Sequence, residues 1–278
     1  LTVVLSIAAH RMAKRNVIVR KMTAVESLGS CTLIASDKTG TLTLNEQTAH
    51  IVYLPGREEY SASGTGYTGD GKITTRSGIS LSEQETGELQ RLAHIAILCS
   101  EAQLEPVDEG WHYSGDPIDV AFLALARKTG LDTTRIQKSV ERLLFIPFEA
   151  DRRYSAAAFS SLEGELFGIK GAAEAVVPHC VRMRTKEGDI SADQGELLAK
   201  AEELAENGYR VLAVAQAVSK GIPDDPIING LPPLVLLGYV GFIDPIRPDA
   251  LDSIRECQKA GVTVVMVTGD HPATALAI

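Results

Sequence analysis

The chain has 278 residues, 45% of them hydrophobic, enough for about two domains with cores of their own. Its 27 basic and 36 acidic side chains leave a formal charge of −9, so a nucleic-acid partner would find no basic footprint. Four scattered cysteines (Cys31, Cys99, Cys180, Cys257) form no C-x-x-C pair, which argues for a reducing compartment and against a disulfide or zinc framework. No apolar run reaches about 18 residues, so no complete membrane span is expected.

Residues 1–9 are apolar and lead into His10, Arg11, Lys14 and Arg15. This reads either as the cytoplasmic exit of a membrane helix or as an ordinary helix with a basic last turn. Residues 31–35, short and partly β-branched, predict a buried parallel strand. It delivers Ser36-Asp37-Lys38-Thr39-Gly40-Thr41-Leu42-Thr43, a turn that sets Asp37 at the carboxyl end of the strand, where open α/β sheets place their ligands. A carboxylate there can bind a metal, cap a helix or attack an electrophile; a lone Asp after a strand is most simply a turn former.

Residues 49–54 and 73–75 predict strands separated by glycine turns. Gly64 to Gly69 matches a dinucleotide fingerprint by letter, and Gly66 to Lys72 a phosphate loop. Strand and turn follow instead of a helix, and Ile73 cannot ligate magnesium, so these glycines read as hairpin turns. Residues 83–100 predict a helix with Leu89, Leu92, Ala93, Ala96 and Ile97 on one face, and Trp111-His112-Tyr113 falls in a loop. A second helix runs to about Lys128, with Asp116 as N-cap, Pro117 at its first position and Gly130 as stop; Asp119 lies in its first turn. Phe148 near Arg152 and Arg153 pairs an aromatic with basic side chains. Residues 166–169 predict a strand ending in Lys170-Gly171, where glycine permits close approach of a ligand and lysine supplies a point charge. A helix over 192–207 and a strand over 209–215, carrying Arg210, precede a turn-rich linker over 223–233. Parallel-sheet character then returns: a strand over 235–242, a helix over 249–260 and a buried strand over 262–267 that delivers Thr268-Gly269-Asp270.

The octapeptide Ser36 to Thr43 resembles the phosphorylation motif of P-type ATPases, in which the Asp attacks the γ-phosphate of ATP and becomes an aspartyl phosphate. Further matches follow in the family's order: Gly115-Asp116-Pro117-Ile118-Asp119, Phe148 through Arg153, Lys170-Gly171-Ala172-Ala173-Glu174, Asp244-Pro245-Ile246-Arg247, and Thr268-Gly269-Asp270. The resemblance implies that Asp37 is the nucleophile, within a catalytic group of Asp37, Lys38, Thr39, Thr268 and Gly269. It implies that Asp37, the backbone carbonyl of Thr39 and a downstream Asp hold Mg²⁺. It gives nucleotide contacts to Asp119 (the adenine amino group), Phe148 (stacking), Arg210 (phosphates), Arg153, Lys170 and Gly171, and to Thr268, Gly269 and Asp270. Related phosphatases often carry a second Asp two residues after the nucleophile; Thr39 stands there, which suits a long-lived phosphoenzyme.

The fold so implied is an α+β nucleotide-binding domain, an antiparallel sheet with helices, over 46–233. It is inserted in an incomplete haloacid-dehalogenase-like parallel α/β phosphorylation domain over 14–45 and 234–278, with residues 1–13 as a stalk. Asp37 and Thr268 would end strands of one sheet. The implied protein is the cytoplasmic portion of a membrane cation transporter, in the bacterial plasma membrane, moving Ca²⁺ or a related divalent cation. Its partners would be ATP, that cation and an actuator domain of the same chain. Both ends look cut, and the family's later Gly-Asp-Gly-x-Asn-Asp segment does not occur, so the isolated chain is expected to bind ATP without phosphorylating Asp37. A soluble phosphatase of the same superfamily and a non-catalytic nucleotide-binding module are the alternatives.

Overall fold

The computed structural model of the protein describes residues 2–21, 23–108, 110–161, 164–219 and 230–268. They divide into two compact units, a smaller one of residues 2–43 and 246–268 and a larger one of residues 44–245.

The larger unit is built on a ten-stranded sheet. Its strands are β2 (Thr48–Tyr53), β3 (Glu59–Ala62), β4 (Ile73–Thr75), β7 (Arg142–Ile146), β8 (Tyr154–Ser161), β9 (Gly164–Ala172), β10 (Cys180–Thr185), β11 (Gly188–Ser191), β12 (Arg210–Ser219) and β13 (Leu234–Ile243). The main path runs β4-β3-β2-β13-β12-β9-β8-β7, and every neighbouring pair in it is antiparallel; β10 joins β13 in parallel and carries β11. A separate hairpin, β5 (Gln103–Val107) with β6 (Gly110–Ser114), corrects the loop expected at Trp111 to Tyr113.

Alternation along the strands gives the sheet two apolar faces. Val214 and Phe159 belong to one core, and Ala213, Ala215 and Ala158 to the other. The first core is covered by helices α3 (Glu83–Leu98) and α4 (Pro117–Lys128), with α5 (Thr133–Ser139) beside them. The second lies under α6 (Ala173–Val176) and α7 (Gln194–Glu206). Each long helix begins on a local signal. Ser82 and Glu85 form a reciprocal capping box on α3, Asp116 accepts from the Ile118 amide at 2.9 Å with Pro117 next to it, and Asp193 caps α7.

Strand β13 departs from expectation. Instead of opening a parallel sheet at residue 234, it lies in the middle of the large sheet, antiparallel to both β2 and β12. The reason is its composition: Leu234, Leu236 and Tyr239 feed one core and Leu237, Val240 and Phe242 the other, so it needs cover on both faces. A run that is apolar on both faces marks a central strand, whatever the direction of its neighbours.

In the smaller unit, helices α1 (Thr2–Ala13) and α2 (Thr23–Gly29) precede β1 (Leu33–Asp37), and α8 (Ala250–Lys259) precedes β14 (Thr263–Val267). Strands β1 and β14 pair in parallel, with Asp37 opposite Val267. The expectation that both strands are buried does not hold: Leu33, Ile34, Val265 and Val267 are exposed. A two-stranded sheet offers each side chain few neighbours. Among the described residues, no helix is long and apolar enough to cross a membrane.

Candidate nucleotide site and phosphorylation loop

A cavity of about 380 Å³ opens in the larger unit, on the face of the sheet that carries α3 and α4. Asp119, Phe148, Lys170, Gly171 and Arg210 all line it. Asp119 comes from the first turn of α4, Phe148 from the loop after β7, Lys170 and Gly171 from β9, and Arg210 from the start of β12. The volume falls within the range of small-molecule pockets.

Lys170 forms the charged floor. It sits inside β9, not beyond its end as the sequence suggested, and only 3% of it is exposed. Lysine is buried to this degree only when paired; its Nζ donates to Asp119 Oδ1 at 2.5 Å and lies 5.0 Å from the centre of the Phe122 ring. Ser155 pairs with Lys170 across β8 and β9, lines the cavity, and donates to the Cys99 carbonyl at 3.1 Å. Gly168, two residues before Lys170 on the same face, lets α3 approach: a Cβ there would lie 2.9 Å from Ile95 Cγ2 and 3.0 Å from Cys99 Sγ. Cys99 is consequently enclosed, and burial pushes its thiol up to about 12.

Phe148 sits at the rim with 57% of its surface exposed, uncommon for so large an apolar ring. Its loop is held by Arg152, which donates to the Pro147 carbonyl at 2.9 Å and to Glu149 Oε2 at 2.7 Å. Arg153, offered above as a nucleotide contact, stands apart. Its backbone is left-handed, with φ 57°, and its Nη1 lies 3.8 Å from Glu174 Oε2. Gly171 also has a different reason to be glycine from the one expected. A Cβ there would lie 2.5 Å from Tyr154 Cβ and 2.7 Å from Tyr154 Cα, so the space is taken by the protein's own backbone. Sequence reading missed Glu101, Ser155 and Leu212, which also line the cavity. For Leu212 and Ser155 a signal existed: Leu212 shares the face of Arg210 two residues on, and Ser155 is a hydroxyl ahead of an alanine run.

In the smaller unit, Asp37 ends β1 exposed and makes no capping bond to the turn it precedes. The turn over Lys38–Leu42 is broken at Thr39 (ψ 121°) and Gly40 (φ 74°), the latter a left-handed conformation that favours glycine. Thr43 closes it: its amide and its Oγ1 both donate to the Lys38 carbonyl, at 3.0 and 3.1 Å. Lys38 is buried. Thr268 directly follows the partner strand, one residue beyond the Asp37–Val267 pair. Gly269 and Asp270 lie outside the described residues. Among the described residues no three His, Cys, Asp or Glu side chains gather into a metal cluster. Asp37 and the Thr39 carbonyl are two oxygen donors, a set that suits Mg²⁺ held mainly by phosphate and water.

Residues 88–249, which include every residue lining the cavity, match the family "P-type ATPase, cytoplasmic domain N". The chain belongs to that family. Its large antiparallel sheet with helices on both faces fits such an N domain. Relatives align along the whole chain: the cation-transporting ATPase pma1 of Synechocystis at 39% identity, a probable cation-transporting ATPase F of Mycobacterium tuberculosis at 35%, and a calcium-transporting ATPase of Bacillus subtilis at 33%. The chain spans about 31% of the length of each of these relatives.

Proposed function

We propose that the chain is the ATP-binding and aspartyl-phosphorylation region of an ATP-driven cation transporter, with Ca²⁺ or a related divalent cation as cargo. In this reading the larger unit, residues 44–245, carries nucleotide binding, and the parallel β1–β14 pair belongs to a haloacid-dehalogenase-like phosphorylation domain at the cytoplasmic side of a membrane. An actuator domain would belong to the same longer protein. The observation that carries the reading is the convergence of Asp119, Phe148, Lys170 and Arg210 on one cavity.

The residues divide the work by their chemistry. Phe148 offers its exposed ring to the base by stacking. Asp119, held by Lys170, keeps a second carboxylate oxygen for the amino group of adenine. Lys170 supplies a point charge beside Asp119 at the base end of the nucleotide, and Arg210 offsets phosphate charge. Asp37 then attacks the γ-phosphorus: an Asp37 Oδ–P bond forms, the bond to the β–γ bridging oxygen breaks, and ADP leaves with that electron pair. Thr268, beside Asp37 at the strand ends, offers a hydroxyl to the transferring phosphoryl group, as would the Gly269 amide. Asp37 and the Thr39 carbonyl would hold Mg²⁺, which would supply charge neutralisation at the transferring phosphoryl group. Thr39 brings no second carboxyl two residues after Asp37 to activate water.

In the full-length transporter, Asp37→Asn should abolish acid-stable, hydroxylamine-sensitive phosphorylation from ATP. Undiminished phosphoenzyme in that variant would overturn the assignment.

A further inference from the structure

Arg247 belongs to the Asp244-Pro245-Ile246-Arg247 stretch, to which no role has been given above. It lies far from Asp37 in sequence, yet it grips the turn that follows Asp37 in the smaller unit. Its backbone amide donates to the Leu42 carbonyl at 2.9 Å. Its Nε donates to the Thr43 carbonyl at 3.2 Å, and its Nη2 to the Gly40 carbonyl at 3.1 Å. An isolated β-bridge between Thr43 and Ile246 fixes the register of this contact.

The geometry points to Arg247 as a positioning residue for phosphoryl transfer: a two-pronged clamp that sets the backbone of the turn carrying Thr39 relative to Asp37. The inference rests on the reading of Asp37 as the phosphorylated residue. Three physical points support it. First, the carbonyl of Gly40 belongs to a left-handed glycine, whose wide conformational freedom lets the turn keep one shape only under restraint from outside. Second, a guanidinium delivers two donors in a fixed fork and stays charged at every relevant pH, so it restrains two carbonyls at once. Third, the turn closes on itself through Lys38, Gly40 and Thr43, by way of Thr43 Oγ1 and the Thr43 amide. Arg247 ties that closed turn to a second segment of chain. The three hydrogen bonds from Arg247 to the turn all end on backbone carbonyls, so the residue acts through the turn's placement and not on the transferred group. Small displacements of reacting groups are costly in rate.

The test uses the full-length transporter with Arg247→Ala and Arg247→Lys. Three readouts are needed: phosphoenzyme formation from ATP at saturating nucleotide, ATP affinity, and amide hydrogen exchange over residues 38–43. With alanine, phosphorylation should slow by about 10²-fold. Exchange at the Gly40 and Thr43 amides should rise about tenfold, the loss expected for a hydrogen bond to a charged group. ATP affinity should stay within twofold, because the cavity residues are untouched. Lysine keeps the charge but only one prong, so it should fall between native and alanine. Unchanged exchange, unchanged phosphorylation in both variants, or a parallel loss of ATP affinity would each overturn the proposal. If the alanine variant does not fold, the lysine variant decides, and native behaviour in it would refute the clamp. Asp37→Asn run alongside separates the two ideas: label surviving in that variant refutes the nucleophile reading itself.

Discussion

Lys170 Nζ sits 2.5 Å from Asp119 Oδ1, joining residues 51 positions apart in sequence across the floor of the cavity. The two ends of the pair are unequal, because Lys170 is nearly inaccessible while a fifth of the Asp119 side chain meets solvent. Removing the carboxylate strands a buried ammonium. Removing the ammonium leaves a carboxylate with some access to water.

Asp119→Ala should therefore destabilise the larger unit by about 3–5 kcal/mol. Lys170→Met, which keeps the apolar stem, should cost distinctly less. Urea unfolding of both variants checks the order, and equal losses would show that the pair is more solvated than its geometry indicates.

Phe148→Ala should leave stability within about 0.5 kcal/mol of native, since the ring is exposed at the rim. ATP affinity should fall by about 1–3 kcal/mol if the ring stacks on the base. Calorimetric titration reads both the affinity and its enthalpy. Native affinity in this variant would place the base elsewhere.

Gly171→Ala should destabilise by about 1–3 kcal/mol, because the new methyl meets the Arg153–Tyr154 backbone, which cannot rotate away as a side chain could. A drop of several degrees in the melting temperature is the expected readout. An unchanged melting temperature would mean that β8 and β9 separate freely at this point.

Alkaline pH should weaken the fold. Burial raises the thiols of Cys99 and Cys180 from 9.0 to about 12, and the hydroxyl of Tyr67 from 10.0 to about 12. In the folded state these groups hold their protons more tightly than in the unfolded chain. Their contribution is thus complete below about pH 9 and is lost as pH rises towards 12. Denaturant midpoints measured from pH 7 to 11 should fall above pH 9. The same burial should keep Cys99 and Cys180 unreactive to a thiol reagent at pH 8 until the protein unfolds.

The sequence by itself determined the local events. Ser82 with Glu85, Asp116 with Pro117, and Asp193 start helices through bonds that span only a few residues, so their pattern is readable directly. The same holds for the strand-then-turn that exposes Asp37 and for the aromatic and basic positions Phe148, Lys170 and Arg210. What those letters could not carry was partnership. Leu234–Ile243 is apolar on both faces, as a central strand of either kind of sheet would be, and only the packing of the whole chain made its main neighbours antiparallel. Gly171 reads as room for a ligand until Tyr154 is seen to occupy the space. Ser155 became a neighbour of Lys170 through strand register, and Arg247 reached the Gly40 and Thr43 carbonyls through chain crossing. Register and crossing depend on contacts between residues distant in sequence, and those are settled only when burial of both faces of the sheet selects one arrangement of the whole chain.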